Sequence, residues 1–341
     1  MSDWWRMPFG ILNALTAVAG ARLNTRSSFT PTRYIWSRGL ALLCDHNGGF
    51  DYIRKQRGGG RAPLPYDLDD YSNIRDGDLV WVRVNSLPRF LEQVLPNINA
   101  RFALITGDED WAIPSELEGA GDLLANHNLI CWFAQNFDGT DTSGKIFPIP
   151  IGLDFHTIAN GRKWGHWRAT PRQQEAELER LRARMPANGD RLVRAHADFH
   201  FNLGRDIRSA SSRHAALSLL SGNPNVEFQS RKLSRSQLWR EKTRYAFVIG
   251  PRGHGLDCHR TWESLLLGNI PIVKRSSLDS LYDGLPVVIV SEWDEITARS
   301  LKEWHDEYRD WFGKAAVQER LTNHYWIALA RRTLDERIAC L

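Results

Sequence analysis

The stretch from Tyr245 to Lys274, YAFVIGPRGHGLDCHRTWESLLLGNIPIVK, limits the folds open to this chain more than any other part of it. An apolar run of strand length, Tyr245–Ile249, leads into a loop rich in glycine. A segment of helical period from Asp257 to Leu267 follows, and then a second apolar run, Ile270–Val273. A strand–loop–helix–strand unit is typical of parallel sheets with right-handed crossovers. The sequence therefore predicts an α/β protein.

The loop of this unit lies where parallel sheets bind their ligands. Such ligands sit beyond the carboxyl ends of the strands, at a glycine-rich loop and a helix N-terminus. The two glycines of the loop would let a ligand approach the backbone closely, and arginines suit a diphosphate. The residues predicted to line this site are Arg252, Gly253, Gly255, Asp257, Arg260, Glu263 and, at the end of the next strand, Lys274.

The pattern G-P-R-G-x-G-x-D-x-x-R-x-W-E-x-L-x-x-G-x-I-P-I-V in this stretch resembles the C-terminal signature of exostosin-like glycosyltransferases of the GT-B type. Two earlier stretches are similar to the same group: Phe102–Pro114, FALITGDEDWAIP, and Trp132–Leu153, which begins WFAQN and ends PIPIGL. The resemblance spans roughly Leu79 to Thr297. It implies two Rossmann-like domains with parallel sheets facing each other across a cleft, and transfer of a sugar from a nucleotide-sugar donor.

The rest of the chain fits a division into two such domains. A length of 341 residues is enough for two domains. Short apolar runs alternate with segments of helical period on both sides of residue 155. We predict an N-terminal acceptor-side domain, 1–155, and a C-terminal nucleotide-sugar-binding domain, 156–341. The predicted strands are Leu79–Val84, Phe102–Thr106, Leu129–Phe133, Ile146–Ile151, Arg191–Asp198, Val226–Gln229, Tyr245–Ile249, Ile270–Val273 and Val287–Val290.

The resemblance also implies roles at the donor site. A glutamate on the corresponding GT-B helix commonly holds the donor ribose, which gives that role to Glu263. Without a metal, the diphosphate falls to arginine, lysine and backbone amides, here Arg252 with Gly253 and Gly255. Lys274 faces the same rim, and Arg205 and Arg208, beyond the Arg191–Asp198 strand, could reach it. Asp257 either caps its helix or binds the donor, and Arg260 with Glu263 could instead form an i,i+3 pair.

An acidic cluster, Asp108-Glu109-Asp110, follows the predicted strand Phe102–Thr106. In the exostosin-like interpretation these carboxylates face the cleft from the acceptor domain, and Asp108 or Asp110 is the general base. The alternative is a GT-A glycosyltransferase, in which an Asp-x-Asp such as Asp108 and Asp110 holds a divalent metal and the donor diphosphate.

Other classes of protein fit less well. A nicotinamide-dependent oxidoreductase would need a complete G-x-G-x-x-G, whereas position 258 is Cys, and Lys274-Arg275 stands where an acidic residue is expected. A non-catalytic carbohydrate-binding protein on the same fold stays open, because the 14 tryptophans suit sugar stacking as well as a packed core. Nucleic acid is not an expected partner, since no arginine-rich tract with interleaved aromatics is present.

Composition and spacing bear on the cofactor, the partners and the location. No metal is expected, since neither His254 nor His259 has ligand partners at useful spacing, and the four cysteines show no paired spacing. The basic excess after residue 150 fits an anionic donor, which we expect to be a UDP-sugar. The resemblance suggests a glycan acceptor and surface polysaccharide synthesis. A cytoplasmic protein is expected; residues 4–18 either contact the inner face of the membrane peripherally or pack on their own domain.

Overall fold

A computed structural model describes residues 32–49, 68–199 and 207–341. The N-terminal residues 4–18, for which membrane contact is an alternative, lie outside the described residues. So does Arg205, and the side chain of Arg208 does as well. No helix in the described ranges combines the length and apolarity needed to cross a membrane.

The first sheet contains four parallel strands in the order β1-β2-β3-β4. Its strands are buried almost throughout, because helices and loops cover both faces. The elements of this part of the chain are α1 (Ser37–Ala41), α2 (Leu68–Ser72), β1 (Asp78–Arg83), α3 (Leu87–Gln93), β2 (Phe102–Gly107), α4 (Ala120–Ala125), β3 (Leu129–Ala134), β4 (Ile146–Pro148) and α5 (His156–Asn160).

The second sheet contains five parallel strands in the order β6-β5-β7-β8-β9. The chain enters it through α6, whose N-terminus is closed by a capping box between Thr170 and Gln173. The elements are α6 (Pro171–Arg182), β5 (Leu192–Ala197), α7 (Ile207–Leu220), β6 (Val226–Phe228), α8 (Arg235–Lys242), β7 (Tyr245–Ile249), α9 (His259–Leu266), β8 (Ile270–Lys274), β9 (Val288–Val290), α10 (Ala298–Tyr308), α11 (Ala315–Arg320) and α12 (Asn323–Ala339).

The predicted α/β fold class is confirmed: the chain forms two Rossmann-like parallel sheets, and a cleft lies between them. The strand–loop–helix–strand unit is present as β7, α9 and β8. Its helix begins at His259, two residues later than predicted, because the N-cap Cys258 is extended and the Asp257 carboxylate accepts from Ile151 N. The stretch from Ala315 to Ile338 forms two helices, α11 and α12, since Thr322 caps the second of them with its side chain.

The last helix, α12, crosses back from the second sheet and packs on the first. It contacts α1, β2 and β3, and its apolar side chains Ala330 and Leu334 belong to the same buried cluster as Leu79. Asn323, fully buried at its first turn, fastens it there. The Asn323 Nδ2 donates to the carbonyls of Thr32 and Tyr34 at 2.8 Å each, and its Oδ1 accepts from Trp36 N at 3.1 Å. The predicted boundary near residue 155 stays a prediction.

We expect Asn323→Ala to lower the free energy of unfolding by about 1–3 kcal/mol, because it leaves three buried backbone groups without their partner. Urea unfolding followed by circular dichroism measures this change. The matched control is His324→Ala, the exposed neighbour on the same helix, which we expect to stay within about 0.5 kcal/mol of wild type. Equal stability of the two variants would contradict this account.

Candidate active site

A cavity of about 620 Å³ lies between the two sheets. Its lining includes residues that directly follow strands of both sheets: Asp108 after β2, Gln135 after β3 and Asp198 after β5, together with the Gly253–Gly255 loop after β7. Because strands of a parallel sheet all end at one edge, the carboxyl ends of both sheets open onto this space. The cavity therefore stands where doubly wound sheets bind ligands.

Asp257 and Asn136 form the floor that joins the two sheets. The buried Asp257 carboxylate accepts from the backbone N–H of Ile151 at 2.8 Å and of Cys258 at 2.8 Å, and from the Trp262 indole at 2.8 Å. The Asn136 Oδ1 accepts from Asp257 N at 2.9 Å. Burial raises the pKa of Asp257 to about 6, and the hydrogen bonds work against this rise. Asp257 is thus committed to protein contacts, and Cys258 is the N-cap of α9.

Gly255 allows the Asn136 side chain to pack against the backbone of the loop. A Cβ at position 255 would lie 2.7 Å from the Asn136 Nδ2 and 2.8 Å from its Oδ1, far inside contact distance. The glycine therefore makes room for a protein side chain, not for the ligand that the sequence pattern suggested. Gly253, by contrast, lines the cavity with the guanidinium of Arg213 nearby, 3.3 Å from where its Cβ would be.

The wall formed by the second sheet carries several cationic side chains. Arg213 of α7, Lys232 of the loop after β6, Arg235 and Lys242 of α8, and Arg260 of α9 all line the cavity. Arg235 stacks on Trp239, with its Cζ 4.4 Å from the ring centroid, and donates to the Asp154 carbonyl. The side chain of Lys242 is only 1% exposed. Glu263, one turn after Arg260 on α9, lies on the same wall.

Asp108 and Asp110 of the acidic cluster after β2 differ in their surroundings: the Asp108 side chain is buried and Asp110 is exposed. The Asp108 side chain, 2% exposed, accepts from Ser37 Oγ at 3.0 Å and lies 3.3 Å from Arg38 Nη2 and 3.5 Å from Arg83 Nε. Burial opposes its ionisation, but the positive charges of Arg38 and Arg83 hold the pKa of Asp108 well below its usual range. An ionised, arginine-bound carboxylate is a poor proton acceptor. Asp110, in contrast, is exposed and lines the cavity.

A histidine stands beside this cluster. The Nδ1 of His156, the first residue of α5, lies 3.3 Å from Asp154 Oδ1 and 3.9 Å from Asp108 Oδ1, and its imidazole lines the cavity. Asp154 Oδ1 in turn accepts from Thr157 N at 2.9 Å, which fixes the carboxylate. Burial lowers the pKa of His156 below its ordinary value despite these carboxylates, so the ring is neutral at pH 7. A neutral imidazole in a cleft can accept a proton.

His259 joins Asp154 and His156 in a group whose ligand atoms lie within 4.8 Å of one another. Its Nδ1 is 2.7 Å from the Gly152 carbonyl oxygen, so the Nδ1–H donates there and Nε2 carries the lone pair. The spacing argument against a metal partner for His259 was wrong, because its neighbours come from about a hundred residues earlier in the chain. Two imidazoles and a carboxylate are a set that divalent metals accept. The predicted absence of a metal stays a prediction.

Several predicted site residues do meet at the cavity, and others do not. Gly253, Gly255, Asp257, Arg260, Glu263, Asp108 and Asp110 line it. Arg252 is exposed and outside the lining. Lys274 lies outside it as well, with its ammonium 2.7 Å from Glu292 and bound to the carbonyl of Ser291. Arg260 and Glu263 do not pair with each other, because Asp198 lies 2.9 Å from Arg260 Nε and Lys242 lies 3.7 Å from Glu263 Oε2.

Sequence reasoning missed four residues that matter here: Asp154, His156, Asp198 and Lys242. Asp198 ends the predicted strand Arg191–Asp198, and a polar residue at the carboxyl end of a strand is a usable signal. Asp154 and His156 follow shortly after the run that holds β4 and carry the same signal more weakly. Lys242 carries none, because a lysine in a charged helix is typical of a solvated surface.

Comparisons with known proteins add little to this picture. No protein-family model matches the chain, and no curated protein matches it. The solved structures that it is similar to include a trehalose 6-phosphate synthase from Burkholderia multivorans, with TM-score 0.39, 12% identity and coverage of 80% of this chain and 76% of that one. Another is a structure described as trehalose-6-phosphate from E. coli bound with UDP-2-fluoro glucose, with TM-score 0.34, 12% identity and coverage of 80% of this chain and 74% of that one. The wall teichoic acid polymerase TagF has TM-score 0.25, 11% identity and coverage of 97% and 100%. With TM-scores this low, the fold is defined by the order and direction of its strands alone.

We expect Gly255→Ala to lower the free energy of unfolding by about 1–3 kcal/mol, because the new methyl group displaces Asn136 from the floor. Thermal and urea unfolding measure this. Gly121→Ala is the matched control: nothing lies within 4 Å of a Cβ at this position in α4, so helix propensity should stabilise the variant by up to about 1 kcal/mol. Equal and small effects at both positions would contradict the floor contact.

Proposed function

We propose that this protein is a glycosyltransferase that moves a sugar from a nucleotide-sugar donor to a glycan acceptor. One observation carries the proposal: the carboxyl ends of two parallel sheets share a cavity, with cations on one wall and a histidine–aspartate pair on the other. Sugar transfer needs cationic groups for the departing diphosphate and a base for the acceptor hydroxyl. The two walls supply these two functions separately.

The donor would lie against the second sheet. Arg260 and Arg213, with the backbone at Gly253, are placed to hold the diphosphate without a metal, and Glu263 is placed to hold the ribose hydroxyls. This moves the diphosphate role from Arg252 and Lys274, which lie outside the cavity, to arginines within it. A carboxylate suits a ribose because it can accept a hydrogen bond at each oxygen.

The acceptor would lie against the first sheet, with His156 as its general base. The His156 Nδ1 lies 3.3 Å from Asp154 Oδ1 without a hydrogen bond; in the proposed tautomer Nδ1 carries the hydrogen, so that Nε2 can take the proton of the attacking hydroxyl. The neighbouring carboxylates stabilise the imidazolium that forms. Asp110 is the second candidate for this role because it is exposed in the same cavity.

The competing functions meet physical obstacles in the site. A GT-A metal site would need Asp108 and Asp110 to share a cation, but Arg38, Arg83 and Ser37 already occupy the Asp108 carboxylate. A nicotinamide dehydrogenase would need its pyrophosphate against Gly255, where Asn136 fills the space. A carbohydrate-binding protein without activity does not account for a neutral histidine that lies beside two carboxylates in the cavity lining.

The finer parts of the proposal rest on the resemblance to exostosin-like enzymes. They are a UDP-sugar donor, an acceptor in surface polysaccharide synthesis and a cytoplasmic location. The identity of the nucleotide is therefore the first property to establish.

We expect calorimetric titration with UDP, GDP and CMP to show tight binding of one nucleotide that EDTA does not alter. Arg260→Ala should then weaken binding of the diphosphate about 10- to 100-fold, the loss of a charge-assisted contact of about 1.5–3 kcal/mol, and leave the bare nucleoside unaffected. Arg299→Ala, on an exposed helix, is the control. Binding that depends on manganese would contradict the metal-free donor site and point to the Asp154–His156–His259 group.

We expect His156→Gln to lower the rate of transfer about 10²- to 10⁴-fold while leaving nucleotide affinity unchanged. In the wild type the rate should fall as the pH drops through the lowered pKa of His156, because only the neutral ring accepts a proton. The acid limb of kcat/KM should therefore lie below pH 6.5. An acid limb that survives in His156→Gln would assign the base to another group, with Asp110→Asn the next variant to measure.

A further inference from the structure

Four charged side chains lie together where the second sheet meets the cavity: Asp198, Lys242, Arg260 and Glu263, here called the charged quartet. Asp198 and Lys242 are almost fully buried, with side chains 2% and 1% exposed. Arg260 and Glu263 are 14% and 15% exposed, respectively. The quartet is thus an inner pair and an outer pair, and only the outer pair has appreciable exposure.

The pairing within the quartet is not the one that the helix offers. Arg260 and Glu263 are three residues apart on α9, at a spacing where opposite charges ordinarily meet. Instead, Asp198 Oδ1 lies 2.9 Å from Arg260 Nε, and Lys242 Nζ lies 3.7 Å from Glu263 Oε2. Asp198 Oδ2 and Lys242 Nζ, 2.8 Å apart, close the chain of contacts. Each member of the outer pair is therefore held by a different member of the inner pair.

The inner pair is hard to explain as a source of stability. Removing two charges from water costs several kcal/mol per ion, and apolar residues of similar volume often replace such a pair without loss. Burial opposes the ionisation of Asp198, but the charges of Lys242 and Arg260 lower its pKa to about 2, so the carboxylate is ionised. The inner pair contacts Arg260 and Glu263 in the cavity lining, and its effect on the positions of these two side chains explains it better than stability does.

We propose that Asp198 and Lys242 are positioning residues that keep Arg260 and Glu263 from pairing with each other, so that both stay available to the donor. The inference rests on the proposed donor site and deepens it. An Arg260–Glu263 pair would neutralise both groups and withdraw them from the diphosphate and the ribose. Asp198 attracts the guanidinium by charge, with Oδ1 2.9 Å from Arg260 Nε but without hydrogen-bond geometry; of the terminal nitrogens, Nη1 donates to the Pro251 carbonyl at 3.4 Å.

The two inner residues have different consequences when their charges are removed. Asp198→Asn releases Arg260 while Lys242 still holds Glu263, so the phosphate contact should suffer most. Lys242→Met releases Glu263 while Asp198 still holds Arg260, so the ribose contact should suffer and nucleoside and nucleotide should weaken alike. A merely structural role would predict the same change for both ligands in both variants.

Calorimetry with UDP and uridine, or with the nucleotide and nucleoside that the wild type prefers, tests this. We expect Asp198→Asn to weaken the diphosphate about tenfold and the nucleoside less than twofold, and Lys242→Met to weaken both about equally. Because Asp198 acts through Arg260, Asp198→Asn should add little further loss in the Arg260→Ala background. Glu303→Gln, which removes the partner of Arg299 from an exposed i,i+4 pair, is the isosteric control.

The outcomes separate the inference from the proposed function. Additive losses in the double variant, or an equal effect of Asp198→Asn on the two ligands, would overturn the positioning role and leave the donor site standing. A wild-type protein that binds no nucleotide would overturn both. Where Asp198→Asn does not fold, Asp198→Glu keeps the charge and moves it by one methylene, and the same selectivity for the diphosphate is expected.

Discussion

The hydrogen bonds of Asp257 join the first part of the chain to α9 at the floor of the cavity. One buried carboxylate accepts from Ile151 of the first part of the chain and from Trp262 of α9, while Asn136 accepts from the Asp257 amide. Hydrogen bonds form only within narrow ranges of distance and angle, so these contacts fix the position of one cavity wall relative to the other. Apolar contacts alone would allow the two walls to slide past each other. The positions of Arg260, Glu263 and His156 relative to one another all depend on this registration.

The elements of the second sheet could be predicted from sequence because each carries a local signal. The strand Tyr245–Ile249 is a short buried apolar run. The N-caps of α6 and α8 are Thr170 and Ser234, and each forms a capping box. The segment Tyr34–Asp45 carries a weaker local signal, because an apolar stretch of this length fits a strand and a buried helix equally; the structure has isolated bridges and α1 there. Its conformation is set by distant partners such as Asn323, and local propensity contains no information about them.

The candidate site could be predicted only in part, for a similar reason. A glycine-rich loop after a strand identifies the rim, and that much was recognised. What Gly255 accommodates depends on Asn136, and what Asp108 can do depends on Arg38, so the role of neither residue follows from the sequence pattern alone. The same motif letters describe a ligand loop and a packing loop, because a missing Cβ leaves room for whatever lies nearest. Function in this cleft is decided by contacts between residues far apart in sequence.

The return of α12 to the first sheet has a consequence for how the chain folds during synthesis. The apolar cluster that contains Tyr34 and Leu79 also contains Leu334, so the first sheet lacks part of its core until α12 has left the ribosome. The apolar side chains of the second sheet are divided between its own cluster, which lies between Ala195 and Leu301, and the shared cluster, which also contains Val273. Domains generally fold as units in order of emergence. Here the N-terminal half emerges first but is completed last, which leaves its strands incompletely covered, and dependent on protection from association, while the rest of the chain is made.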